Sequence, residues 1–114
     1  MLLQINKNSM TKSYKIVVFV PETHADMLRE AMGKAGAGKI GNYEHCTFSI
    51  KGTGRFRPTV GANPAIGEVG SLEAVAEERI ETVCASELLD TVLSAICAVH
   101  PYEEPATEVY ELVV

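Results

Sequence analysis

No apolar run in the 114 residues reaches the ~20 that a membrane-crossing helix needs, and no basic-then-apolar leader opens the chain. Neither a helical membrane span nor secretory export is therefore expected. Cysteine is scarce: Cys46, Cys84 and Cys97 are an odd number, widely spaced and without a C-x-x-C pair. That usage argues against a disulfide framework and fits reduced thiols in a cytoplasm. Basic residues are outnumbered, 10 Lys and Arg against 15 Asp and Glu. An acidic chain of this kind is a poor partner for nucleic acid, because phosphate binding rests on clustered Lys and Arg. Catalytic signatures are missing too: there is no G-x-S-x-G elbow and no local Cys–His arrangement. Cys84 and Cys97 lie on apolar faces, and His45 and Cys46 point to opposite faces if their segment is a strand. What remains is ample apolar content, 46% of residues, enough for one domain with an ordinary core.

The net charge of −5 hides a division. Residues 1–57 carry nine basic and four acidic residues, a balance of +5; residues 58–114 carry Arg79 against eleven acids, a balance of −10. Either the halves interleave and their fields cancel, or opposite faces of the domain steer subunits together.

Residues 1–13 show no sustained period and read as a flexible arm, with Met10 an alternative start. Tyr14–Val20 is β-branched and aromatic, closed by Pro21, and reads as a central covered strand. Thr23 is placed to cap a helix carrying Ala25, Leu28, Met32 and Ala35. Glu44–Lys51 alternates, with Cys46, Phe48 and Ile50 expected on a buried face. Gly52–Gly70, with five glycines plus Pro58 and Pro64, is expected to form a hairpin with a long excursion. Glu78–Ala85 reads as a strand with Ile80, Thr82 and Cys84 on one face. Ser86 is placed to cap a helix with Leu89, Val92, Leu93, Ile96 and Val99, which His100-Pro101 ends. Ala106–Val113 alternates as a last strand. This order predicts one α+β domain over 14–114 of the ferredoxin-like, split β-α-β kind: a mixed, mostly antiparallel sheet with two helices on one face and the first and third strands at its centre.

Three motifs bear on function. Gly36-Ala37-Gly38-Lys39-Ile40-Gly41 fits G-x-G-x-x-G, but it follows a helix and leads into a strand. A dinucleotide fingerprint has the opposite polarity, so these glycines read as a helix C-cap and tight turn. Arg55 and Arg57 flank Phe56 and share a face if extended, which suits either an anionic ligand or salt bridges between subunits. His100-Pro101-Tyr102-Glu103-Glu104-Pro105 is the densest polar cluster. Its histidine can simply cap a helix C-terminus; His100, Glu103 and Glu104 can also supply ligands to a divalent metal, although strong zinc spacing is absent.

Several pieces together resemble the inserted middle domain of the Nif-three-like family. They are Val20-Pro21 with His24, the run Ala35–Tyr43, and Cys46 with Phe48. Gly52-Thr53-Gly54 with Phe56 and Pro58, Gly61-Ala62-Asn63-Pro64, Ile66-Gly67 with Gly70, and Glu78-Arg79 follow, before His100 through Ala106 closes the pattern. The resemblance spans Tyr14 to about Leu112 and implies that the domain occurs here alone. It also implies a fold similar to the signalling protein P-two and to CutA, ferredoxin-like subunits that commonly form trimers. The two-metal centre of such full-length proteins is built from flanking domains, so their hydrolase labels have no residues to rest on here.

The expectation is thus a non-enzymatic cytoplasmic binding or regulatory module, assembled as a homo-oligomer, with a trimer favoured. His24, Tyr43, Arg55, Arg57, His100 and Tyr102 are candidate ligand-binding residues, and His100, Glu103 and Glu104 candidate metal ligands. The ligand would be a divalent metal or small anion. A purely structural oligomerisation module is the alternative.

Overall fold

The computed structural model describes residues 12–113. In chain order the elements are β1 (Ser13–Pro21), α1 (Ala25–Lys34), β2 (Phe48–Phe56), β3 (Glu73–Ala85), α2 (Leu89–Val99) and β4 (Ala106–Leu112). One sheet runs β2-β3-β1-β4. The two central strands are the expected ones, and the α+β ferredoxin-like arrangement holds. The sheet is not mixed, however: β1–β3, β1–β4 and β2–β3 all pair antiparallel. Each helical crossover joins two parallel strands, but a strand of the other unit is inserted between them, so no parallel pair becomes adjacent. Of the proposed arm, residues 1–11 and Met10 lie outside the described residues, and Ser13 already belongs to β1.

Side-chain alternation gives the sheet two unlike faces. Ile16, Val18 and Val20 of β1 and Ile80 and Cys84 of β3 point to the helices, where Ala25, Leu28 and Met32 of α1 and Val92 and Ile96 of α2 complete the core. Burying each large aliphatic side chain here contributes about 1.5–3 kcal/mol. Glu78 shares that face at its edge, and Arg29 of α1 answers it with an Nη1–Oε1 contact of 2.7 Å. On the other face no helix of the described residues packs. Phe48 and Ile50 of β2 stand there 62% and 50% exposed, beside a charged net in which Glu81 bridges Lys15 and Arg79.

Three local expectations need correction. Residues 44–47 are not strand; β2 starts at Phe48 and continues through Gly52-Thr53-Gly54 to Phe56. Phe48 and Ile50 are not buried, because their face of this edge strand is the one the helices leave open. Neither Thr23 nor Ser86 caps a helix by side chain. A short 3-10 turn precedes each helix instead, Glu22–His24 before α1 and Ser86–Leu88 before α2.

The G-x-G-x-x-G run behaves as a turn. Gly36 has φ 106°, and the Gly36 and Ala37 amides bond back to the Gly33 and Met32 carbonyls at 3.1 and 3.0 Å. That is the Schellman pattern, in which a left-handed residue satisfies the last helical carbonyls.

A candidate ligand-binding cleft

The cleft arises from unequal strand lengths. β1 pairs with β3 only as far as Pro21↔Glu77, whereas β2 follows β3 to Phe56↔Glu73. The β2–β3 hairpin therefore overhangs the end of β1 by four residues of β3, Glu73–Ala76. The turn between α2 and β4 fills the step.

That turn is held by His100. The proline after it forces extended backbone, φ −68° and ψ 130°, and the ring is buried against the end of β1. Nε2 lies 2.8 Å from the Phe19 carbonyl oxygen, and Nδ1 lies 3.1 Å from the Tyr102 amide nitrogen. The carbonyl can only accept and the amide can only donate, so the ring is neutral with its proton on Nε2. Burial pushes the His100 pKa below its ordinary value, against the opposing pull of the Phe19 bond and the Glu77 charge.

Tyr102 extends from this anchor across the end of β1. Its ring meets Phe56 edge-on at 5.5 Å, and its hydroxyl donates to Glu77 Oε2 at 2.7 Å. Burial and the Glu77 carboxylate both raise the phenol pKa strongly. Glu77 fits because position 54 is glycine: a Cβ there would collide with the Glu77 carboxyl group. Glu103 points the other way and accepts the Asn63 amide at 2.9 Å. The segment from Pro58 to Gly70 is thereby pinned to the turn. Its ends are joined by the Gly70 amide on the Pro58 carbonyl at 2.8 Å and by Arg57 Nε on the Gly70 carbonyl at 3.0 Å.

Between hairpin, loop and turn lies an open cavity of about 530 Å³. Phe19, Phe56, Pro58, Ile66 and Ala106 supply an apolar lining, with Arg55, Arg57, Glu77, Glu103 and Glu104 as charged groups. Such a mix of apolar wall and few convergent polar groups characterises small-molecule sites.

Five residues singled out in the sequence meet here: Arg55, Arg57, Tyr102, Glu103 and Glu104 all line the cavity. His100 stands behind it as a support. His24 does not line it; its Nδ1 pairs with the Thr23 hydroxyl at 2.8 Å. Tyr43 belongs to the other end of the sheet, where the Gly38 amide bonds to Val83 and a bridge joins Ile40 to Tyr43; it is 75% exposed. The expected metal set of His100, Glu103 and Glu104 is not assembled. Both His100 nitrogens are engaged within the protein, and no three His, Cys, Asp or Glu side chains among the described residues converge as a metal site. Glu77 and Gly54 went unremarked as site residues, since the expected strand began one residue after Glu77. The signal for Glu77 was the Glu77-Glu78 pair inside a strand, which alternation must split between two faces, whereas Gly54 reads as a breaker.

The architecture defines an α+β, ferredoxin-like domain with an end-of-sheet cleft. A GTP cyclohydrolase 1 type 2 homolog of Halalkalibacterium halodurans is 56% identical over 99 residues, 87% of this chain and 27% of that protein. A solved Bacillus cereus protein related to NIF3 superposes with a TM-score of 0.80 at 50% identity, over 91% of this chain and 26% of the other. The chain is homologous to one segment of the Nif-three-like proteins and spans about a quarter of the length of the relatives it matches. CutA from Xylella fastidiosa shares the fold, with a TM-score of 0.66 at 16% identity over 90% of this chain and 85% of CutA. No family model matches the chain. No helix among the described residues is long and apolar enough to cross a membrane.

Proposed function

We propose that this chain is a non-enzymatic binding or regulatory module that takes a small organic ligand into the cleft beneath the β2–β3 overhang. The observation that carries this reading is the loop from Pro58 to Gly70, closed at its neck and tied at Asn63 to Glu103, which walls an apolar cavity against a rigid sheet end. Arg55 and the free end of the Arg57 guanidinium are the groups to meet an anionic substituent. The described cysteines are free, and burial raises the Cys84 pKa, which suits inert thiols in a reducing cytoplasm rather than a nucleophile. Whatever the longer relatives catalyse is not assigned to this segment. The test is a titration with 3-phenylpropionate, an apolar ring bearing one carboxylate, followed by amide NMR. Saturable shifts at Gly54, Phe56 and Tyr102, weakened in Arg55→Ala, are expected. Cleft resonances left unmoved at millimolar concentration by 3-phenylpropionate and also by its neutral and cationic analogues, 2-phenylethanol and phenethylamine, would overturn the reading.

The open sheet face supports a second reading, a homo-oligomerisation module, with a trimer as the assembly we propose. Phe48 and Ile50 there are large, apolar and exposed, the kind of surface subunit contact covers. The two readings are compatible, and a mutation on that face separates them.

A further inference from the structure

Three glutamates of β3 are shielded from water to differing degrees, and they are treated unequally. Glu78 is met by Arg29 at 2.7 Å. Glu81 is met by Lys15 at 3.0 Å and by Arg79 at 3.1 Å. Glu77, only 8% exposed, forms no ion pair among the described residues. Its donor is the Tyr102 hydroxyl, which occupies Oε2. A neutral phenol stabilises a carboxylate through one bond but brings no counter-charge, and an uncompensated buried charge is costly.

The surroundings of Glu77 are open in the direction a ligand would need. It lines both the cleft and a second hollow of about 140 Å³ on the helix-free face, and Phe19 and Gly54 are common to the two. Gly52 is its direct partner across the ladder, and a Cβ at Gly52 would meet nothing within 4 Å. Gly54 thus gives the carboxyl group its room, and the empty space at Gly52 leaves the neighbouring position across the ladder open. Two nearby cations are bonded elsewhere, while Arg55 in the cleft and Lys51 in the second hollow make no ion pair with Glu77 among the described residues. Arg79 is bonded to Glu81 and lies 5.5 Å from the Phe19 ring centroid, and Arg57 is bonded to Gly70. Phe19, Phe56 and Tyr102 surround the site with aromatic faces and edges, which favour a cation together with an apolar body.

We infer that Glu77 is the recognition group for an organic cation, a small molecule whose amine or guanidinium meets this carboxylate while its apolar body lies against Phe19, Phe56 and Tyr102. The inference rests on the cleft reading and adds the charge that the cleft selects. An anionic substituent elsewhere on the same molecule would reach Arg55 or Arg57.

The test uses the full chain and three probes of similar shape: phenethylamine, 2-phenylethanol and 3-phenylpropionate. Amide NMR titrations are run on wild type, Glu77→Gln and Glu77→Asp. Phenethylamine is expected to bind wild type at least tenfold more tightly than 2-phenylethanol, to lose that advantage in Glu77→Gln, and to keep part of it in Glu77→Asp. The wild-type comparison stands even if a variant fails to fold. Binding of 3-phenylpropionate without phenethylamine would overturn this inference and leave the cleft reading intact. Binding of none of the three would overturn both. If Glu77→Gln changes the sedimentation coefficient yet not amine binding, the counter-charge comes from a second copy of the chain and the inference fails.

Discussion

The Tyr102 hydroxyl reaches Glu77 Oε2 at 2.7 Å, joining the α2–β4 turn to the centre of the sheet through one bond. Twenty-five residues separate the two in sequence, and the whole of α2 lies between them. The bond forms because β1 stops at Pro21 and leaves the end of β3 uncovered. Removing the donor in Tyr102→Phe leaves a buried carboxylate short of a partner, at a cost of about 1–3 kcal/mol. Urea unfolding is expected to show a lower midpoint with an unchanged slope. The raised phenol pKa adds a pH signature. The folded state holds the proton above the ordinary tyrosine value of 10.0, so this stabilisation is complete below pH 10 and declines as pH rises beyond it. Alkaline unfolding of Tyr102→Phe should lack that component.

Gly54→Ala tests the same bond from the other side. The added methyl group would occupy the space of the Glu77 carboxyl, and the carboxyl must swing away from Tyr102 to make room. The loss should resemble that of Tyr102→Phe, about 1–3 kcal/mol, and the double variant should cost little more than either single one. Strict additivity in that double-mutant cycle would show the two sites to be independent. Gly52→Ala, whose methyl group meets nothing, serves as the neutral control.

The elements were legible where periodicity was strong. Tyr14–Val20 and Glu78–Ala85 announce central strands by β-branched content, and Leu28, Met32, Val92 and Ile96 mark the helix faces that do pack. The edge strand misled, because alternation in Cys46, Phe48 and Ile50 says that one face is apolar without saying that anything covers it. Its glycines read as breakers, yet Gly52 and Gly54 sit inside β2. Of the site, the polar turn and the arginine pair stood out by composition. His100 resembled a metal ligand or helix cap because a sequence does not show a partner 81 residues away. Its contact with Phe19 is a tertiary one, and so is the pairing of Glu77 with Tyr102.

Glu103 is exposed, and its contact with the Asn63 amide is a loop anchor rather than a support of the core. Glu103→Ala should leave global stability within about 0.5 kcal/mol, as surface substitutions usually do. The Asn63 amide should exchange with deuterium faster, and residues 59–69 should become more sensitive to protease. Unchanged exchange at Asn63 would mean that the anchor does not hold in solution.

His100 makes stability depend on mild acid. Its folded pKa is lowered from the ordinary 6.5, chiefly by burial, so the unfolded chain binds the proton first as pH falls. Stability is therefore full above pH 6.5 and is lost progressively below it, down through the depressed folded value. Protonation also gives Nδ1 a hydrogen that faces the Tyr102 amide, turning an acceptor into a second donor. Denaturant midpoints measured from pH 7.5 to 4.5 should fall for wild type. In His100→Gln they should start lower and fall less steeply, since the variant lacks the titrating ring. Parallel pH profiles in the two proteins would remove His100 as the cause.

Ile50 is the position at which assembly and ligand binding come apart. Its side chain lies on the helix-free face, paired in register with Arg79, while Lys51 points to the opposite face beside Glu78. If copies of the chain meet through this face, Ile50→Asp replaces apolar contact area with a carboxylate that must shed water, a cost that Arg79, already bonded to Glu81, offsets only in part. Sedimentation velocity should then show smaller particles for Ile50→Asp than for wild type at equal concentration, with Lys51→Ser unchanged. Folding should be untouched, because half of the Ile50 side chain already faces solvent. An Ile50→Asp protein that sediments like wild type would place subunit contact elsewhere on the molecule. If assembly were instead steered by exposed charge, raising salt would dissociate wild type, since such pairs are screened within ~10 Å at 0.1 M. An apolar contact through Phe48 and Ile50 predicts particles that persist at high salt, because burial of carbon surface is not screened.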